Sequence, residues 1–96
     1  MTGELSVKMD PSDGVLAVDR LRSSPPETIA GRVVAKVEDF KDANLLRLWL
    51  DEVGGAGVRL QVRPSGTEPK VKLYGEAVDM ETDTLQSLLS ALAAIL

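Results

Sequence analysis

The residues best suited to chemistry lie in one short stretch, RPSGTEPKVK, which runs from position 63 to 72. Arg63 precedes a Ser-Gly-Thr triplet that is enclosed by two prolines. Ser65 and Thr67 offer hydroxyl groups, and Gly66 has no side chain to keep a ligand away from the backbone amides. An arginine beside such a loop can hold a tetrahedral oxyanion with two parallel hydrogen bonds. The stretch therefore predicts a phosphate site.

The distribution of charge supports this interpretation, because cations are concentrated around the loop. The chain has 11 Lys and Arg residues against 15 Asp and Glu residues, and its net charge is −4. Four of those cations lie between positions 58 and 72, where Glu68 is the only carboxylate. Strict alternation before and after the loop predicts two strands that send Arg63, Lys70 and Lys72 to one face. We expect both lysines to join the site, and Glu68 to point outward or toward a lysine.

A plainer interpretation of the same residues is open. Cationic side chains on the exposed face of a sheet are usually only solvated, and Ser-Gly-Thr is common in turns. The glycine-rich stretch from 53 to 57 fits a hairpin better than a phosphate cradle, because no cation adjoins it and a strand follows it. The acidic balance of the whole chain argues against nucleic acid and anionic membranes as partners, since both require a basic surface.

Composition excludes several kinds of catalytic site. The sequence contains no cysteine and no histidine, so it cannot form a thiol nucleophile, a zinc site with Cys or His ligands, or an imidazole acid-base centre. Its first ten residues do not resemble a signal peptide, and its apolar C-terminal segment is shorter than the roughly 20 residues that cross a bilayer. We expect a cytoplasmic protein whose residues 1–96 form a single domain.

The spacing of hydrophobic residues predicts the strands and helices that position the loop. Alternation of apolar and polar residues predicts strands over 4–9, 58–63 and 70–77, and β-branched valines favour another over 32–38. The segment 44–51 is ambiguous, because an Asn cap followed by leucines could open a helix, but its leucines alternate with other residues and we interpret it as a strand. In the last two strands, the residues expected to face the core are Val58, Leu60, Val62, Val71 and Leu73.

Helical spacing appears on either side of these strands. A first helix is predicted after Asp10 and before the serines and prolines at 23–26, with apolar residues Val15, Leu16, Val18 and Leu21. A second is predicted from Asp79 onward, with a stripe formed by Leu85, Leu88, Leu89, Leu92, Ala93 and Leu96. The predicted fold class is α+β, a two-layer domain in which helices pack on one face of an antiparallel sheet of four to five strands.

The longer stretch RPSGTEPKVKLYGE closely resembles the phosphate-binding loop in the last domain of the α-D-phosphohexomutases, which include phosphomannomutase, phosphoglucomutase and phosphoglucosamine mutase. The segment LRSSPPETIAG, the strand-rich middle and the closing helix extend the resemblance over most of the chain. The resemblance implies a fold like that of the TATA-binding protein. It also implies that the non-reacting phosphate of a hexose phosphate is contacted by Arg63, Ser65, Gly66, Thr67 and Lys72. Lys70 is added to this set from charge and strand geometry alone.

The motifs that carry the chemistry of this superfamily are missing from the sequence. The phosphoserine setting Ser-His-Asn-Pro needs a histidine, and no Asp-Gly-Asp motif for Mg²⁺ occurs; Ser12-Asp13-Gly14 fits a helix start better. The loop that reads the sugar hydroxyls is also not found. We therefore expect no cofactor in this chain, Mg²⁺ in the other domains of a full enzyme, and no activity from this chain alone.

Three functional hypotheses follow from the sequence. The leading one is the C-terminal phosphate-binding domain of a phosphohexomutase, as a fragment or split product. Its expected partners are a hexose 1-phosphate, 6-phosphate or 1,6-bisphosphate and the other mutase domains. An alternative is a free-standing module that binds phosphorylated ligands without catalysis. A third is a structural or interaction protein, which would leave the amides of residues 65–67 insensitive to phosphate.

Overall fold

A computed structural model describes residues 1–51, 57–65 and 68–96 of the chain. The strands are β1 (Thr2–Lys8), β2 (Thr28–Ile29), β3 (Arg32–Phe40), β4 (Leu45–Leu50), β5 (Val58–Pro64) and β6 (Lys70–Ala77). The helices are α1 (Pro11–Ser23) and α2 (Thr82–Ala93), and a 3₁₀ turn spans Lys41–Ala43. Every strand pairing is antiparallel, and the order across the sheet is β1-β6-β5-β4-β3-β2.

This architecture confirms the predicted α+β class. All five predicted strands are present, and the sixth is β2, which is two residues long and pairs with the start of β3. Helix α1 contacts β5 and β6, and α2 contacts β1 and β6. Within the described part of the chain, no helix is both long and apolar enough to cross a membrane.

The core lies between the sheet and the two helices, and alternation along the strands builds it. The five residues predicted to face the core from β5 and β6 are all buried. The stripe predicted for α2 is confirmed, with its four central leucines buried and Ala93 and Leu96 partly buried. Because each fully buried leucine or valine contributes about 1.5–3 kcal/mol, this layer fixes which face of the sheet is covered.

Helix α1 is present where it was predicted, and two of its four predicted apolar residues, Val18 and Leu21, are buried, but the other two are not. Val15 and Leu16 are 43% and 59% exposed, whereas the buried positions are Gly14, Ala17, Val18 and Leu21. A Cβ atom added to Gly14 would lie 3.1 Å from a methyl group of Val71 on β6. Small residues therefore let α1 approach the sheet closely, and they carry little hydrophobic signal in a sequence.

The predicted glycine-rich hairpin falls mostly outside the described residues, which resume at Gly57. The strands on either side of it are paired antiparallel, with Leu50 opposite Val58.

The packing of α2 against the sheet should depend on one buried leucine. Leu85 is fully buried against Gly75 of β6, where a Cβ atom would lie 2.9 Å from Leu85 Cδ1. Replacing Leu85 with Ala should lower the free energy of unfolding by about 2–5 kcal/mol, because a cavity remains. The matched control is Leu16→Ala on the exposed face of α1, which should change it by less than about 0.5 kcal/mol. Urea denaturation of both variants measures the difference, and equal effects would contradict this description of the core.

Candidate functional site

The pairing of β5 with β6 brings the two principal cations of the predicted site together. Arg63 lies directly opposite Lys72, and their neighbours Pro64 and Val71 also form a pair, on the buried face. Side chains directly opposite one another in an antiparallel pair have Cβ atoms about 4.5–5.5 Å apart. Arg63 is exposed and Lys72 is half-buried. Their convergence on the face away from the helices is as predicted, while their binding of phosphate stays a prediction.

The loop that follows Arg63 is held by a short network of hydrogen bonds. The Ser65 backbone N–H donates to the carbonyl oxygen of Lys70 (2.9 Å), which closes the loop at its base. The Glu68 N–H donates to Ser65 Oγ (3.2 Å), so the hydroxyl oxygen accepts from within the loop and its proton is left to donate elsewhere. Gly66 and Thr67 lie outside the described residues, so their predicted contacts have no geometry here.

The one carboxylate of the loop is paired with a lysine. Glu68 Oε2 lies 3.1 Å from Lys70 Nζ, which is one of the two orientations predicted for Glu68. This ion pair partly neutralises Lys70. Within 1–51, 57–65 and 68–96, neither Arg63 nor Lys72 forms a salt bridge.

Strand β1 adds a cation that the sequence analysis did not include. Lys8 lies directly opposite Lys70, and Ser6 lies opposite Lys72. A hydrogen bond from Met9 N to Pro69 O (2.9 Å) ties the end of β1 to the loop. The alternation of β1 places Lys8 on the polar face. Its neighbour Lys70 is more than 60 residues away in the sequence, so no local pattern predicts that the two lie side by side. We call Lys8, Arg63, Lys70 and Lys72 the cationic corner.

The polar face beyond the cationic corner is concave. A small depression of about 110 Å³ lies between β1 and β6, and Glu4 lines it together with Ser6, Lys70 and Lys72. A larger one of about 480 Å³ continues along the same face beside Gln61 and Tyr74, with Glu4 and Glu76 in its lining. The corner therefore borders a depression whose lining becomes acidic away from the lysines.

Other cations on this face are matched with carboxylates. Arg59, two positions before Gln61 on β5, forms an ion pair with Glu76 directly opposite on β6. Arg47 on β4 lies opposite Glu38 on β3, with its Nη1 at 3.6 Å from Glu38 Oε1. The cationic corner departs from this arrangement, because cross-strand neighbours there carry the same sign of charge.

Glu38 on the polar face accepts a hydrogen bond from a tryptophan and lies near two cations. Trp49 Nε1 donates to Glu38 Oε1 at 2.5 Å. This hydrogen bond, with further help from the positive charges of Lys36 and Arg47, lowers the pKa of Glu38 below its ordinary value of 4.5.

Metal binding finds no support in the described part of the chain. No group of three or more Asp and Glu side chains gathers there closely enough to hold an ion.

Comparison with known proteins identifies the class to which this fold and loop belong. The family model described as "Phosphoglucomutase/phosphomannomutase, C-terminal domain" matches residues 4–94. The chain belongs to this family, which confirms the resemblance seen in the RPSGTEP stretch.

Individual relatives carry the names of both enzymes. A probable phosphomannomutase from Haemophilus influenzae is 37% identical in an alignment of 82 residues that covers 80% of this chain and 16% of that protein. A phosphoglucomutase from Staphylococcus aureus is 37% identical in an alignment of 73 residues that covers 57% of this chain and 12% of that protein. The chain therefore spans about a sixth or less of the length of these relatives.

The lowered pKa of Glu38 should make the stability of the fold depend on pH. A carboxylate whose pKa is depressed in the folded state stabilises the fold above its unfolded pKa, and the contribution is lost as pH falls through the folded pKa. The parent should therefore be more stable than Glu38→Gln at pH 7, and the difference should shrink once the pH is taken well below 4.5. Melting temperatures at pH 7 and pH 3 test this, with the exposed Glu27→Gln as the matched control. A difference that is constant with pH would contradict the assignment.

Proposed function

We propose that this chain holds the non-reacting phosphate of a hexose phosphate in an enzyme of the phosphomannomutase and phosphoglucomutase type. The observation that carries the proposal is the pairing of Arg63 with Lys72 at the base of the RPSGTEP loop. Two cations directly opposite each other repel, so the site favours an external anion. Membership of the mutase C-terminal domain family supports a sugar phosphate as that anion.

The contrast with the rest of the polar face strengthens the proposal. On the same strand, Arg59 faces a glutamate while Arg63 faces a lysine. If the polar face were only solvated surface, nothing would distinguish the two arginines. The difference is explained if a ligand supplies the negative charge at Arg63 that Glu76 supplies at Arg59.

Each residue of the proposed site offers a different interaction. The Arg63 guanidinium can donate two parallel hydrogen bonds to phosphate oxygens, and charge-assisted bonds of this kind contribute about 1.5–3 kcal/mol each. Lys72 adds a point charge, and Ser65 retains a hydroxyl proton to donate. The backbone amides of Gly66 and Thr67 complete the proposed contacts by their match to the family motif.

In a whole mutase, these contacts to the non-reacting phosphate would lie away from the site of phosphoryl transfer. Binding energy from the non-reacting phosphate can be used to position the sugar for phosphoryl transfer, and closure of the site excludes water. The transfer itself would belong to other domains, because this chain has no histidine for the phosphoserine setting. We propose that residues 1–96 act as one domain that has no activity alone.

The site is tested by removing its arginine. Arg63→Ala should weaken the binding of inorganic phosphate and glucose 6-phosphate by about 1.5–3 kcal/mol, which corresponds to roughly ten- to hundredfold in Kd. Arg63 points away from the core, so the melting temperature should stay close to that of the parent. Amide NMR titration measures the affinities for phosphate and for glucose 6-phosphate. The control with the same change of charge is Arg20→Ala, at an exposed position of α1. Equal affinities for the parent and both variants would refute the site.

Lys72→Ala should weaken phosphate binding by less than Arg63→Ala does. An ammonium group is a single point charge, and it lacks the planar fork that lets a guanidinium bind two oxygens together. The same titration orders the two variants, and a larger loss at Lys72 would show that the arginine is not the main contact.

Complementation separates a mutase domain from a free-standing binding module. The N-terminal domains of a mutase, prepared without their own C-terminal domain, should regain hexose phosphate isomerisation when this chain is added. A module that works alone would bind phosphate yet neither associate with those domains nor restore activity. Isomerisation by this chain alone would contradict the assignment of the chemistry to other domains.

A further inference from the structure

We propose that Lys8 of β1 is a further phosphate-binding residue, so that the site extends across three strands. This inference rests on the proposed function, and it adds a cation that lies far from the RPSGTEP loop in sequence. Its basis is the position of Lys8 beside the first residue after the loop, Lys70.

The register of the sheet places Lys8 at the edge of the loop. Lys8 and Lys70 are directly opposite, which brings their Cβ atoms to about 4.5–5.5 Å, and Lys72 is the diagonal neighbour at about 7–8 Å. The hydrogen bond from Met9 N to Pro69 O fixes this end of β1 against the loop. Lys8 is thus held in place by backbone contacts, and its exposed side chain is free to reach a ligand.

The arrangement is unfavourable unless an anion is bound. Like charges directly opposite each other destabilise a sheet, and Glu68 is the only carboxylate found in an ion pair with a member of the corner in the described structure. Glu68 pairs with Lys70, which leaves Lys8 and Lys72 without an ion pair among the described residues. Glu4 is diagonal to Lys72 across β1 and β6, but the two do not form an ion pair in the described structure. Positions where a sheet departs from its usual charge pairing are expected at functional sites.

Lys8 also differs from the cations elsewhere on the polar face. Arg47 and Arg59 each have a glutamate opposite them, and both are half-buried. Their guanidinium groups lie over the aromatic rings of Phe40 and Trp49, respectively. Lys8 is exposed and faces another lysine. A bound dianion would convert this repulsion into attraction, since it would be shared among Lys8, Lys72 and Arg63.

The first test measures phosphate affinity. The 96-residue chain is titrated with inorganic phosphate at pH 8 and constant ionic strength, and the amide shifts of the loop report binding. Lys8→Gln should raise Kd about two- to fivefold, which is the effect of losing one exposed ion pair. Lys41→Gln in the exposed 3₁₀ turn removes the same charge outside the corner and should leave Kd unchanged. Lys8→Arg should retain the parental affinity.

The second test separates a ligand contact from a structural role. In phosphate-free buffer, Lys8→Gln should melt no lower than the parent, because it removes a like-charge contact. A lower melting temperature together with weaker binding would mean that Lys8 stabilises the fold and does not contact the ligand, which would contradict the inference. If the parent binds phosphate and Lys8→Gln binds it equally well, the inference about Lys8 fails and the proposed function stands. If the parent chain binds no phosphate, both fail.

Discussion

The register of β5 against β6 is the constraint on which the rest of this structure depends. The pairs Val62 with Leu73 and Pro64 with Val71 are buried, so the residue between them in β5 must face the opposite way. A slip of one residue would move every side chain to the other face and expose the core positions. Burial of apolar side chains therefore decides where Arg63 and Lys72 project, although neither contributes to the core.

The same constraint explains how an acidic chain can present a cationic corner. Carboxylates are matched to arginines along most of the polar face, as with Glu76 and Arg59, and these pairs leave little net charge locally. Most of the remaining described acidic residues are exposed, and Glu4 on β1 lines the depression beside Lys70 and Lys72. Salt screens the interaction between exposed charges that are more than about 8–10 Å apart. A local anion site is therefore compatible with a net charge of −4.

Sequence reasoning succeeded where the signal is local and strongly periodic. The alternation of β5 and β6 predicted their pairing, their core faces and the convergence of Arg63 with Lys72. For α1 it found the helix and the buried Val18 and Leu21, but it was wrong for Val15 and Leu16, because close packing against β6 selects the small residues Gly14 and Ala17 on that face. It also could not find Lys8, because the pairing of β1 with β6 is formed by residues far apart in the chain.

The elements around the loop act as a support that is formed before any ligand arrives. Helix α1 packs Gly14 beneath the base of the hairpin, and β1 is tied to Pro69 from the side. Prolines at both ends of the loop reduce its freedom in the unbound state, so less conformational entropy is lost when an anion binds. If the loop binds an anion as proposed, a smaller entropy loss would leave more of the binding energy for positioning the remainder of the ligand. That property suits a domain that would hold one end of a sugar phosphate while another domain acts on the other end.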